Sequence, residues 1–173
     1  MTGVQTCALP IYFNLLRDVM EINAQQRLRF LRKVEKALWV VKEKQVAVLG
    51  LAFKPHTDDI RESPALDVLQ WLCQQGASVR AYDPVAMNNV RALHPQVTYC
   101  ESAYEAVEGV DAMLVLTEWE EFAALDPARL RSLMRHPIVV DGRNLFSPAT
   151  MAAAGFEYYS IGRVSARQVE MKA

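Results

Sequence analysis

Four times in this chain a serine or aspartate stands directly before a proline: Ser63-Pro64, Asp83-Pro84, Asp126-Pro127 and Ser147-Pro148. Each pair predicts a helix start, because the short polar side chain caps free N–H groups and proline fits the first turn without losing a needed donor. Gly76 and Gly155 mark two helix ends. Between these signals lie short apolar runs at 45–49, 78–82, 97–100, 112–116, 138–140 and 157–161, which read as strands. The helices alternating with them are predicted at 64–75, 84–93, 103–107, 119–124, 127–135 and 148–154. The first, fourth and fifth strands are apolar almost throughout, as parallel strands covered on both faces are. Such alternation predicts an α/β fold, a Rossmann-like doubly wound and mostly parallel sheet.

A long helix precedes it. Over residues 12–41, Phe13, Leu16, Met20, Asn23, Arg27, Phe30, Val34, Leu38 and Val41 follow a spacing of three or four. Asn23 and Arg27 interrupt this apolar stripe, which then resumes. A helix of that length is about 45 Å long, more than one small domain covers. Part of it is expected to touch another domain or another subunit; a frayed, exposed end is the alternative.

Composition narrows the function. Hydrophobic residues at 51% and charged residues at 23% fit one globular domain with a real core. A net charge of −1 speaks against a nucleic-acid partner. No apolar run has the length of a membrane-spanning helix. Cys7, Cys73 and Cys100 form no C-x-x-C pair, which argues against a disulfide framework or a zinc site and for a reducing, cytoplasmic setting. Residues 1–11 have neither a basic n-region nor an apolar h-region. They resemble translated sequencing adapter joined to a truncated gene and are read as a non-native leader; a genuine short disordered N-terminus is the alternative.

The segment 49–64, Leu-Gly-Leu-Ala-Phe-Lys-Pro-His-Thr-Asp-Asp-Ile-Arg-Glu-Ser-Pro, carries the chemistry. Ligands of open α/β sheets sit beyond the carboxyl ends of the strands, where the strand order reverses. With the order 3-2-1-4-5-6, the loops meeting there hold Lys54 and Arg61, then Thr117-Glu118-Trp119, then Arg143-Asn144. Gly142 permits a sharp turn close to a ligand. Lys54, Arg61 and Arg143 together suggest a pyrophosphate or sugar-phosphate site, whereas each alone reads as a solvated loop charge.

Other polar residues read more plainly. Asp58, Asp59 and Glu62 have the chemistry of bases or metal ligands, but without His or Cys to complete a set they read as loop and helix-start supports. His56 shows no partner to make it catalytic, and His94 and His136 precede prolines as loop residues. Asp83 ends the second strand, where dinucleotide folds place a ribose-binding acid, but the adjacent Pro84 favours a capping role. Gly50 is the single glycine of the first loop, so G-x-G-x-x-G is absent and NAD is not assumed to lie there. Cys73 reads as core, and Cys100 has no nearby base to make a thiolate. Trp119 and Phe122 read as packing, with a wall to a sugar site as the alternative.

Gly50-Leu51-Ala52-Phe53-Lys54-Pro55, Thr57 through Pro64, Ala81-Tyr82-Asp83-Pro84, Thr117-Glu118-Trp119, Asp141-Gly142-Arg143-Asn144-Leu145 and Gly155 through Arg163 together resemble the C-terminal domain of the UDP-glucose/GDP-mannose dehydrogenase family. The resemblance runs from about residue 12 to residue 163 and is carried by several ordered motifs. It implies oxidation of the C6 alcohol of UDP-glucose to UDP-glucuronate, with two NAD and a thioester on a catalytic cysteine. It also implies that this cysteine and most of the NAD site lie upstream, so that the chain is a fragment inactive alone. Under the resemblance Phe53, Lys54 and Arg143 contact the substrate and Arg61 reaches the NAD. Residues 12–43 become the end of a linking helix that joins a homodimer, 44–163 a UDP-sugar-binding domain and 164–173 a tail. A sister enzyme acting on UDP-N-acetylmannosamine or GDP-mannose, and a non-catalytic nucleotide-sugar-binding module, are the alternatives.

Overall fold

Three of the four Ser/Asp-Pro pairs start helices in the computed structural model, which describes residues 14–163. Ser63, Asp126 and Ser147 accept backbone N–H groups at the starts of α2 (Pro64–Gln74), α6 (Pro127–Leu133) and α7 (Pro148–Ala153). The fourth pair opens a turn instead. Asp83 Oδ1 accepts the amides of Val85 and Ala86 at 3.0 and 2.8 Å, and α3 begins only at Met87, running Met87–Arg91. The remaining helices are α1 (Asn14–Leu38), α4 (Ala103–Val107) and α5 (Glu120–Ala123).

The strands are β1 (Gln45–Leu49), β2 (Ser78–Tyr82), β3 (Thr98–Tyr99), β4 (Ala112–Val115), β5 (Ile138–Asp141) and β6 (Glu157–Ser160). They form one sheet in the order β3-β2-β1-β4-β5-β6, and every adjacent pair is parallel. The reversal of order falls between β1 and β4, where Leu49 pairs with Val115.

Side-chain alternation divides the core in two. Val46, Val48, Ala112, Leu114 and Val140 face Phe30, Val34, Val68, Leu69 and Leu72 of α1 and α2. Ala47, Leu49, Met113, Val115, Val139 and Tyr158 face Ala106, Phe122, Leu130 and Met151 on the other side. Both faces of β1 and β4 are covered, which is why those strands are apolar throughout.

The first helix joins this core over its second half alone: Phe30, Val34, Ala37 and Leu38 are its buried residues. Leu15, Leu16, Val19, Met20, Ile22 and Leu28 are exposed. The helix stops at Leu38, short of the predicted residue 41, because Trp39 turns left-handed with φ 59° and ends the ladder. Its predicted start at residue 12, Phe13, Cys7, the leader at 1–11 and the tail at 164–173 lie outside the described residues. β3 keeps two of its four predicted residues, since it pairs with β2 alone at the sheet edge.

Candidate functional site

The loop leaving β1 is built against the loop leaving β4. Gly50 has φ 89°, and a Cβ there would lie 2.5 Å from the Thr117 Cβ. The position is therefore closed to any side chain on two counts. Thr117 Oγ1 then donates to the Ala52 carbonyl at 2.7 Å. From the other side Asp83 accepts Leu51 N–H, Ala52 N–H and the Trp119 indole N–H on Oδ2, at 2.7, 3.1 and 3.2 Å. With its two turn amides, this wholly buried carboxylate takes five donors. Asp83 does cap a turn, and it also ties three loops together; its oxygens are spent on the protein. Ser63 Oγ completes the frame by donating to the Leu51 carbonyl at 2.8 Å.

Arg143 stands on this frame. Its backbone N–H is held by Asp141 Oδ1 at 2.8 Å, while Asp141 Oδ2 accepts Phe146 N–H and the Tyr158 hydroxyl. Burial, followed by the Asp141 contact, pushes the Tyr158 hydroxyl well above its ordinary pKa. Arg143 Nε–H donates to the Leu116 carbonyl at 2.8 Å and Nη2 to the Phe53 carbonyl at 3.3 Å. Glu118 Oε2 lies 3.1 Å from Nε. The guanidinium is thus pinned to the ends of both loops, and its Nη1 group meets no acceptor among the described residues. Gly142 beside it needs space more than torsional freedom: an added Cβ would lie 3.0 Å from the Val115 carbonyl oxygen and 3.2 Å from Phe30.

Phe53 and Arg143 both line a cleft of about 490 Å³ between α1 and the loop ends. Leu116, Gly142 and Ile161 form its floor, Phe30 and Leu31 of α1 one wall, and Pro64 and Val68 of α2 the other. Asn23, Gln26 and Arg27 stand along its α1 side. Arg27 bridges the walls, donating to Asp67 Oδ2 at 2.7 Å and to both the carbonyl and the carboxylate of Glu62. These α1 residues are absent from the sequence-based site; their signal was the polar interruption of the apolar stripe at 23 and 27.

The three predicted cations do not all converge. Lys54 follows Phe53 but is exposed and is not part of the cleft lining. Arg61 grips Asp59 in its own loop, with Nε and Nη2 at 2.9 and 2.8 Å, and borders a separate shallow depression with Asn88 and Asn89. The Arg61 guanidinium, aided by its amide and by Lys54, holds Asp59 down to about 2. Asp58 accepts from Asn89, and Glu62 is engaged by Arg27. His56 does find a neighbour, the Trp119 ring, in a T-shaped arrangement with ring centroids 5.4 Å apart.

Cys100 is buried, and desolvation pushes its thiol up, away from a thiolate. Cys73 packs against the core. No group of three or more His, Cys, Asp or Glu that could hold a metal occurs among the described residues. Nor is any described helix long and apolar enough to cross a membrane. The arrangement suits recognition of an anion beside an apolar surface.

Known proteins resemble this chain in sequence and fold. The chain is 44% identical over 159 residues to the UDP-glucose 6-dehydrogenase TuaD of Bacillus subtilis, covering 91% of this chain and 34% of that protein. It is 44% identical over 158 residues to the UDP-glucose 6-dehydrogenase of Pseudomonas aeruginosa, covering 86% and 34%. The chain therefore spans about a third of the length of these curated relatives. Among solved structures, the UDP-D-ManNAc dehydrogenase of Pyrococcus horikoshii superposes with a TM-score of 0.73 at 32% identity, covering 87% of this chain and 34% of that one. The UDP-glucose dehydrogenase of Pyrobaculum islandicum gives 0.71 at 32%, covering 83% and 31%. Residues 47–148 match the family model described as the UDP binding domain of the UDP-glucose/GDP-mannose dehydrogenases. Over residues 47–148, which hold the cleft loops that carry Phe53, Leu116 and Arg143, the chain belongs to the UDP-glucose/GDP-mannose dehydrogenase family.

Proposed function

We propose that this chain is the UDP-sugar-binding part of an NAD-dependent UDP-glucose 6-dehydrogenase, which turns UDP-glucose, two NAD and water into UDP-glucuronate and two NADH. The observation that carries the reading is the Arg143 guanidinium, anchored by the Leu116 and Phe53 carbonyls with its Nη1 donors unspent beside the cleft. A rigid fork of N–H groups is the side chain best suited to a diphosphate. The cleft's apolar lining offers a surface for the flat base or sugar beside it. Phe53 and Arg143 would line the substrate, with Lys54 approaching from the loop above.

NAD does not fit this domain in the usual Rossmann manner. Gly50 is filled against Thr117 and the oxygens of Asp83 are all engaged, so these two positions offer neither a pyrophosphate cradle nor a ribose acceptor. We assign to Arg61 the contact with NAD, held mainly by residues other than those described here, and to α1 a role in forming a homodimer in the cytoplasm. The chain binds and orients substrate, without bond-making chemistry of its own. The UDP-D-ManNAc dehydrogenase of Pyrococcus horikoshii, structurally as near as the glucose enzyme, keeps a sister sugar as the second reading.

Titration calorimetry of the 173-residue chain tests this. UDP and UDP-glucose bind, and Arg143→Ala weakens UDP about tenfold or more. Stronger binding of UDP-N-acetylmannosamine or GDP-mannose than of UDP-glucose favours the sister enzymes. A folded chain that binds none of them removes the reading.

A further inference from the structure

Arg143 and Glu118 form an ion pair without a hydrogen bond between them. Glu118 Oε2 lies 3.1 Å from Nε, but that N–H is donated to the Leu116 carbonyl. The carboxylate consequently accepts no hydrogen bond among the described residues; of the outer guanidinium nitrogens, Nη2 reaches the Phe53 carbonyl and Nη1 meets no acceptor among them. Glu118 is 43% exposed and follows Leu116 of the cleft floor by two positions. A site serving phosphate alone gains nothing from this carboxylate, which opposes any second anion at Arg143. A ligand bearing both phosphate and hydroxyl groups engages both members: phosphate takes the N–H donors, and a hydroxyl donates to the carboxylate.

Resting on the reading that this cleft takes a nucleotide, we propose that Glu118 is a specificity-determining residue, accepting a sugar hydroxyl of the bound nucleotide and repelling bare anions from Arg143. The two effects act in opposite directions on two probes, which a merely structural role does not do. They select a hydroxyl-bearing nucleoside diphosphate over an inorganic one of the same charge type.

The experiment measures UDP, UDP-glucose and inorganic pyrophosphate binding to the wild-type chain, Glu118→Ala and Glu118→Gln, with a thermal melt of each protein. Glu118→Ala weakens UDP about fivefold, from the lost charge-assisted hydrogen bond. The same change tightens pyrophosphate about threefold, the scale of a half-exposed charge pair. Glu118→Gln keeps an acceptor oxygen, so it tightens pyrophosphate similarly while UDP stays within about twofold. An effect on UDP and UDP-glucose alike assigns the hydroxyl to ribose; an effect on UDP-glucose alone assigns it to the hexose. Parallel shifts of nucleotide and pyrophosphate, or no shift in either, overturn the role of Glu118 and leave the nucleotide reading standing. Wild-type chain that binds neither nucleotide overturns both.

Discussion

Arg27 of α1 donates a 2.7 Å hydrogen bond to Asp67 of α2, and its second terminal nitrogen reaches Glu62 at the end of the β1 loop. No earlier described residue of α1 hydrogen-bonds outside the helix. This one guanidinium therefore locks the helix to the wall of the cleft, just before the buried residues beginning at Phe30.

Arg27→Ala and Asp67→Asn should each destabilise the chain, and a double-mutant cycle should show coupling of about 1 kcal/mol, since both side chains are partly screened by solvent. Urea unfolding of the four proteins measures it. Additive effects would reduce Arg27 to a solvated neighbour of α2.

Asp83→Asn should cost about 3 kcal/mol or more, because one face of the buried group would turn an NH2 toward backbone N–H donors. Trp119→Phe, which removes one of the five donors and leaves the carboxylate, should cost about 1 kcal/mol. The contrast between the two, read from denaturant midpoints, separates the loss of the hub from the loss of one spoke. Equal costs would contradict the hub.

Trp39 is 86% exposed and holds φ 59°, a left-handed conformation that costs a side-chain-bearing residue energy. Trp39→Gly should stabilise the chain by about 1 kcal/mol, a rise of about 2–4 °C in Tm. A lower Tm would mean that the indole makes contacts worth more than its backbone strain.

Asp59 should titrate near 2, held down by Arg61. Because folding lowers this pKa, the stability from the contact is complete above the ordinary carboxylate value of about 3.9 and is lost as pH falls toward the folded value. Carboxyl NMR titration measures it, and Arg61→Ala should return the midpoint toward the ordinary value. A midpoint unmoved by that change assigns the depression to another cause.

The sheet was legible because β1, β4 and β5 are apolar runs and three Ser/Asp-Pro pairs start helices as their chemistry dictates. The common strand order placed the loops carrying Phe53, Thr117 and Arg143 together, and the sheet does so. The end of α1 was not legible, because Trp39 takes a left-handed turn that glycine or asparagine ordinarily announces. The Arg27 bridge spans 40 residues and leaves only a polar gap in a stripe as its trace. Arg61 was grouped with Arg143 on charge and on its loop's place at the switch point; the partner two residues away, Asp59, takes its guanidinium.

The five-donor environment of Asp83 bears on descent as well as on folding. In dinucleotide domains the acid at the end of the second strand faces outward to a ribose. Here the same position has been turned inward, and the glycine of the first loop has been claimed by Thr117. Each commitment guards the other, because releasing the carboxylate loosens the segment that presses Gly50 against its neighbour. Single substitutions at either position forfeit the loop before a new ligand can reward them. Gly50 and Asp83 therefore hold the loops after β1 and β2 as one unit, which a change at either residue disturbs together.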